Sequence, residues 1–144
     1  MNKKKFLKLH SNDDNSVIIV CLDEIIFIYT DTNNGGKVTT VYLNNETVEA
    51  ITVNEAPEKI YQFILETCNI DFVKLHSSDD NSVIVVNVDS ISLICLSDNN
   101  GKKLTTMYFN NDTVESITFN ESPERIYQMM EDTLEARLTK MNKK

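Results

Sequence analysis

Lys8-Leu9-His10-Ser11, Asp13-Asp14-Asn15-Ser16-Val17-Ile18 and Pro57-Glu58-Lys59-Ile60-Tyr61-Gln62 each recur in this chain, the last with arginine for lysine. They return 66 residues later as Lys74-Leu75-His76-Ser77, Asp79-Asp80-Asn81-Ser82-Val83-Ile84 and Pro123-Glu124-Arg125-Ile126-Tyr127-Gln128. Around these anchors residues 6–66 align with residues 72–132 without a gap, and roughly three positions in five are identical. A duplicated unit has to fold the same way twice, so one reading serves both copies. Residues 1–66 form one unit, residues 67–71 a linker and residues 72–144 the second unit.

Each unit reads as five antiparallel strands followed by a helix. In the first strand, residues 6–10, Leu7 and Leu9 alternate with Lys8 and His10, the period-two pattern of a half-buried strand. A polar turn over residues 11–16 leads to a β-branched second strand, residues 17–22. The second copy carries Asn87 where the first has Cys21. That places Val83, Val85 and Asn87 outward or toward a partner, and Ile84, Val86 and Val88 toward the core. After a bend at Asp23 or Asp89, strand three covers residues 25–30 and 91–96. Asn-Asn-Gly at 33–35 and 99–101 supplies positive φ at low steric cost and opens strand four, residues 38–43 and 104–109. Strand five follows the next Asn-Asn turn, at residues 48–53 and 114–119. With Ile25 and Phe27 inward, alternation puts Ile26 and Ile28 outward, with Ser92 and Ile94 as their copies. Thr39, Thr40, Thr105 and Thr106 join them, with Tyr42 and Tyr108, in a half-apolar sheet face.

The helix begins at Pro57 and again at Pro123, where proline's missing N–H would be an orphan in any case. Ser122 is a good N-cap and its counterpart Ala56 a poor one, a difference of about 1 kcal/mol. Glu58 and Glu124 suit the positive end of the helix dipole. Ile60, Tyr61 and Ile64, repeated as Ile126, Tyr127 and Met130, make an apolar stripe that covers a sheet. Past the point where the first helix stops, Met130, Leu134, Leu138 and Met141 continue at helical spacing. This last stretch either folds back over its own body or projects and buries its stripe against another copy of the chain.

A unit of this size is marginal alone, since about 60 residues bury only about 60% of their unfolded surface. The five linker residues span at most ~18 Å, so the units are neighbours. The fold class expected is therefore α+β, mainly β: two repeated units of about five antiparallel strands, each followed by a helix, packed as a pseudo-symmetric pair.

Charge narrows the partners. The chain has 144 residues and a formal net charge of -8. The first eight residues hold Lys3, Lys4, Lys5 and Lys8, the last eight Arg137, Lys140, Lys143 and Lys144, with no acid in either tail. The remaining 6 basic residues face all 22 acids in the body, which is formally -16. Such a body repels phosphate over a Debye length of about 8–10 Å, and it offers none of the basic patches that nucleic-acid binding needs. No nucleic-acid partner is expected. No apolar run approaches the roughly 18 residues of a membrane helix, and the Lys-rich start lacks the apolar core of a secretory signal.

Three scattered cysteines, Cys21, Cys68 and Cys95, make no C-x-x-C pair or metal spacing and read as buried thiols in a reducing cytoplasm. The two Asn-x-Thr sequons, at Asn45 and Asn111, read as turn residues.

The inventory for chemistry is short. His10 and His76 sit beside the repeated pairs Asp13, Asp14 and Asp79, Asp80, and these six residues are the only candidate metal ligands. One histidine and two adjacent acids on a turn are a thin set; an Asx-type turn accounts for the same residues. Serines adjoin both histidines, but neighbours in an extended chain point apart, and neither a nucleophile elbow nor a phosphate loop is present. The expectation is a protein without catalytic residues, metal or cofactor.

With the strands placed, a family resemblance emerges. Val73-Lys74-Leu75, Val86-Asn87-Val88-Asp89-Ser90-Ile91, Gly101-Lys102-Lys103 and Phe119-Asn120-Glu121-Ser122-Pro123-Glu124-Arg125-Ile126 follow the pattern of the small flagellar FlbD-type proteins. Each unit resembles that family over most of its length. The first unit departs from the pattern at Cys21, in place of Asn, and at Ala56, in place of Ser. The resemblance implies a small β-barrel with a covering helix; it implies no activity and no functional residue.

The functional expectation is a cytoplasmic, non-catalytic binding or assembly module, phage or bacterial in character, that forms a homo-oligomer or binds another protein. Interface candidates are Ile26, Ile28, Ile94, Leu134, Leu138 and Met141. A small-ligand or metal-binding module using the histidine turns, and an acidic decoy imitating nucleic acid, are the alternatives.

Overall fold

The structure, a computed structural model, describes residues 6–33, 36–66, 72–110 and 116–142, with side chains at all of these except 32, 33, 36, 99 and 133–142. The first repeat contributes β1 (Phe6–His10), β2 (Val17–Cys21), β3 (Ile25–Asn33), β4 (Gly36–Leu43), β5 (Ala50–Val53) and α1 (Pro57–Glu66). The second contributes β6 (Phe72–His76), β7 (Val83–Asn87), β8 (Ile91–Asn99), β9 (Lys102–Phe109), β10 (Ser116–Phe119) and α2 (Pro123–Asn142) in the same order. The molecule is α+β and mainly β, built of antiparallel sheets, and no barrel closes among the described residues.

Local chemistry explains the turns. Asn15 and Asn81 take φ of 62° and 61°, the left-handed region that asparagine tolerates better than most residues. Beside them Asp14 and Asp80 accept the N–H groups of Ser16 and Ser82 at 3.1 and 3.0 Å, and the hydroxyls of the same serines at 2.7 Å. Asn100 and Gly101, at φ 53° and 82°, turn β8 into β9. Leu22–Glu24 and Val88–Ser90 form single turns of 3₁₀ helix, so the second strand ends one residue before the expected 22. Strand five begins at Ala50 rather than at residue 48, because Asn45 Oδ1 accepts the N–H groups of Thr47 and Val48 at 2.8 and 2.9 Å and holds that stretch in the turn.

The strand pairing crosses the repeat boundary. One sheet runs β5-β4-β3-β7-β6, a second is the β1-β2 hairpin, and a third is β10-β9-β8. In the five-stranded sheet β3 of the first repeat pairs antiparallel with β7 of the second: Phe27 faces Val86, Ile28 faces Val85 and Tyr29 faces Ile84. Each hairpin is also tied to its own repeat through one bridge, Ser11 to Val53 and Ser77 to Phe119.

Two apolar clusters result, and each borrows from the other repeat. The first gathers Leu9, Leu22, Ile25, Ile28, Ile60 and Ile64 and also takes in Phe72 and Val85. The second gathers Leu75, Ile84, Val86, Met107, Phe119 and Ile126 and also takes in Ile26 and Phe27. Because β3 is buried on both faces, it reads as a continuous apolar run at its start, Ile25-Ile26-Phe27-Ile28.

A register shift between Ile25 and Phe27 corrects the alternation expected from sequence. The extra residue turns Ile25 and Ile28 onto one face and Ile26 and Phe27 onto the other, as a β-bulge does. Ile28 is therefore core and not outward; Ile26 is buried between the repeats. Ile94, after the same shift between Ile91 and Leu93, packs half-buried against the second cluster. Thr39, Thr40, Thr105 and Thr106, expected on an open sheet face, are all buried.

Candidate functional site

The two histidines are clamps. His10 ends β1, and its Nδ1–H donates to Glu55 Oε2 at 2.7 Å while its backbone N–H donates to Oε1 at 3.1 Å. His76 and Glu121 repeat the arrangement at 2.6 and 3.0 Å. Each pair fastens the end of a first strand to the loop that enters the helix. Burial works to raise the Glu55 carboxyl, but the hydrogen bonds from His10 outweigh it and hold the group below its ordinary value of 4.5.

The acids expected beside the histidines are committed elsewhere. Asp14 and Asp80 serve the serines of their own turns, which keeps both carboxyls below the usual range. Asp13 and Asp79 donate their backbone N–H to Ser11 and Ser77 at 3.1 Å. Among the described residues no three His, Cys, Asp or Glu side chains are grouped to hold a metal ion. Sequence reasoning missed Glu55 and Glu121 because they lie 45 residues from their histidines; the recurrence of Asn-Glu before each helix was the only signal. Cys21 and Cys95, expected to be buried, are half-buried and unbridged. Cys68 lies outside the described residues.

The surface offers more than the clamps. Where β3 meets β7, the residues of the second repeat that cover the first are Phe72, Val85 and Asn87, all buried. Asn87 Nδ2–H donates to the Ile25 carbonyl at 2.9 Å. Lys74 lies 3.9 Å from Glu58 and 5.9 Å from the ring centre of Tyr61, both on α1. Phe27 stacks on Tyr42 at 4.8 Å and meets Phe109 at 5.4 Å.

Several of the same positions in the opposite repeat are exposed, while Cys21, the counterpart of Asn87, is half-buried. Phe6, the counterpart of Phe72, is 56% exposed against 2%; Ile19, the counterpart of Val85, 59% against 0%. Leu93, the counterpart of Phe27, is 53% exposed against 5%. Tyr127, the counterpart of half-buried Tyr61, stands in solvent on α2. Among the described residues β2 pairs only with β1, and β8 only with β9. Among the described residues β2 and β8 therefore each keep one unpaired edge, and both strands carry exposed apolar side chains.

Of the interface candidates, Ile26 lies in the internal seam, Ile28 in the first core and Ile94 beneath the β8 edge. Leu134, Leu138 and Met141 fall on α2, with side chains outside the described residues. No helix among the described residues is long and apolar enough to cross a membrane. No family model, no curated protein and no solved structure matches this chain.

Proposed function

We propose that this chain is a non-catalytic assembly module of the cytoplasm whose work is to associate with itself or with a protein partner. The observation that carries the reading is the concentration of large exposed apolar side chains, Phe6, Val17 and Ile19 at one end and Leu93, Leu96 and Tyr127 at the other, on strands and a helix that have an unused side. Unpaired strand edges of this kind are templates for pairing with another chain, and patches of this kind mark interaction sites. The two repeats act as an internal pseudo-symmetric pair, each a β-rich unit with a covering helix, and the likeness to FlbD-type proteins fits that unit. The acidic body keeps nucleic acid away.

Size-exclusion chromatography with multi-angle light scattering, at tens of micromolar and moderate salt, tests the reading. A mass of two chains or more supports self-association. A single-chain mass that persists at the highest soluble concentration counts against it and leaves the partner-binding form, tested by capture from the native host extract.

A further inference from the structure

We infer that a second copy of this chain lays its β1–β2 hairpin on the β8 edge and the α2 surface of the first, head to tail, in the register that β3 and β7 use within the chain. The inference rests on the assembly reading above and specifies its geometry.

The template is the internal seam. Shifted by the repeat length, the β3–β7 pairs Phe27–Val86, Ile28–Val85 and Tyr29–Ile84 become Leu93–Val20, Ile94–Ile19 and Cys95–Ile18 between copies. Of the flanking contacts, the one between lysine and helix keeps its chemistry. Lys74 against Glu58 and Tyr61 becomes Lys8 against Glu124 and Tyr127, and all three of these residues are exposed. The aromatic contact between Phe27 and Phe109 becomes Leu93 against Leu43: both members change together, from a ring pair to an aliphatic pair. The seam residues Phe27, Phe72, Val85 and Asn87 are buried, and their counterparts Leu93, Phe6, Ile19 and Cys21 are exposed or half-buried; Val20, the counterpart of Val86, faces its own core.

A second copy fits these edges because the chain itself carries both halves of the joint. Each copy offers one β8 edge and one β2 edge, which are different surfaces. The contact is therefore heterologous, and it propagates until a ring closes or a filament grows. One contact does not carry over. Cys21 replaces Asn87, so the joint between copies lacks the strong amide donor that reaches the Ile25 carbonyl inside the chain.

The test uses the full chain, light scattering and two charge substitutions, one per edge. Ile19→Lys blocks the β2 edge and Leu93→Lys the β8 edge; both sites are exposed, and thermal melting followed by circular dichroism checks that each variant folds. Tyr127→Lys, which sets like charge against Lys8 from the helix surface, is a second block on the β8 side should Leu93→Lys unfold. The wild-type chain is expected to be a dimer or larger and each variant a monomer, with Ile19→Val retaining the wild-type mass. Mixing Ile19→Lys with a β8-side variant is expected to restore a one-to-one dimer, since each retains the edge that the other lacks. An oligomer unmoved by both substitutions overturns this joint and leaves the assembly reading standing. Monomeric variants that stay monomeric on mixing overturn the head-to-tail arrangement. A wild-type monomer overturns the joint and self-association together.

Discussion

Asn87, at the end of β7, donates its Nδ2–H to the carbonyl of Ile25, 62 residues earlier, at 2.9 Å, and accepts the N–H of Asp89 on Oδ1 at 3.0 Å. One buried amide thereby links the repeats and caps its own 3₁₀ turn. Asn87→Ala leaves the groups it served without a partner, at a cost of about 1–3 kcal/mol, read as a lower denaturant midpoint with unchanged slope. In the joint inferred between copies the reverse change, Cys21→Asn, supplies the missing donor. It is expected to tighten association about fivefold, the equivalent of one net hydrogen bond of ~1 kcal/mol, measured by sedimentation.

The helix starts predict opposite effects of matched substitutions. Ser122 Oγ accepts the N–H of Arg125 at 3.1 Å, whereas Ala56 has no side chain to do this for α1. Ser122→Ala is expected to lose about 1 kcal/mol and Ala56→Ser to gain about as much, both followed by thermal melting.

Acid stability follows from the clamp on β1. A carboxyl whose value is lowered on folding contributes stability that is full above its unfolded value and is lost as pH falls through the folded one. Glu55 therefore supports the fold in full above its ordinary 4.5 and loses that support progressively as the pH falls from there through its lowered value. Glu55→Gln is expected to lower the melting temperature at pH 7 and to flatten its decline below pH 4.5. Asp14 and Asp80, also lowered by their serines, act in the same direction and keep part of the acid limb in that variant.

Ile28 tests the bulge. It is fully buried in the first cluster, so Ile28→Ala is expected to cost about 2–5 kcal/mol. Ile94→Ala, at the half-buried copy of the position, is expected to cost less. Equal and small effects in urea denaturation would return Ile28 to the surface.

The repeat, the succession of strands along the chain and both helix starts were legible because each is written locally, in β-branched runs, Asn-Gly turns and Pro-Glu pairs. What escaped reading was set by partners distant in sequence. Ile26 and Ile28 follow perfect alternation on paper, and only the shift in pairing with β4 separates them. The second strand is apolar on both faces, which fits an exposed hairpin as well as a buried one; the Asn87-for-Cys21 exchange pointed toward a partner without saying that the partner of β7 is β3. The histidines drew attention to the nearest acids, while the turns had already taken Asp14 and Asp80.

The pairing of Phe27 with Val86 also orders events during synthesis. β3 leaves the ribosome well before β7 exists, and at about 5–20 residues per second the interval is several seconds. Throughout it the nascent first repeat carries an apolar strand paired on one side by β4 and open on the other, within reach of neighbouring chains on the same message. Polysomes crowd many such halves together, so the rate of translation across residues 34–82 sets how often a newborn chain captures its own β7 before it meets another's.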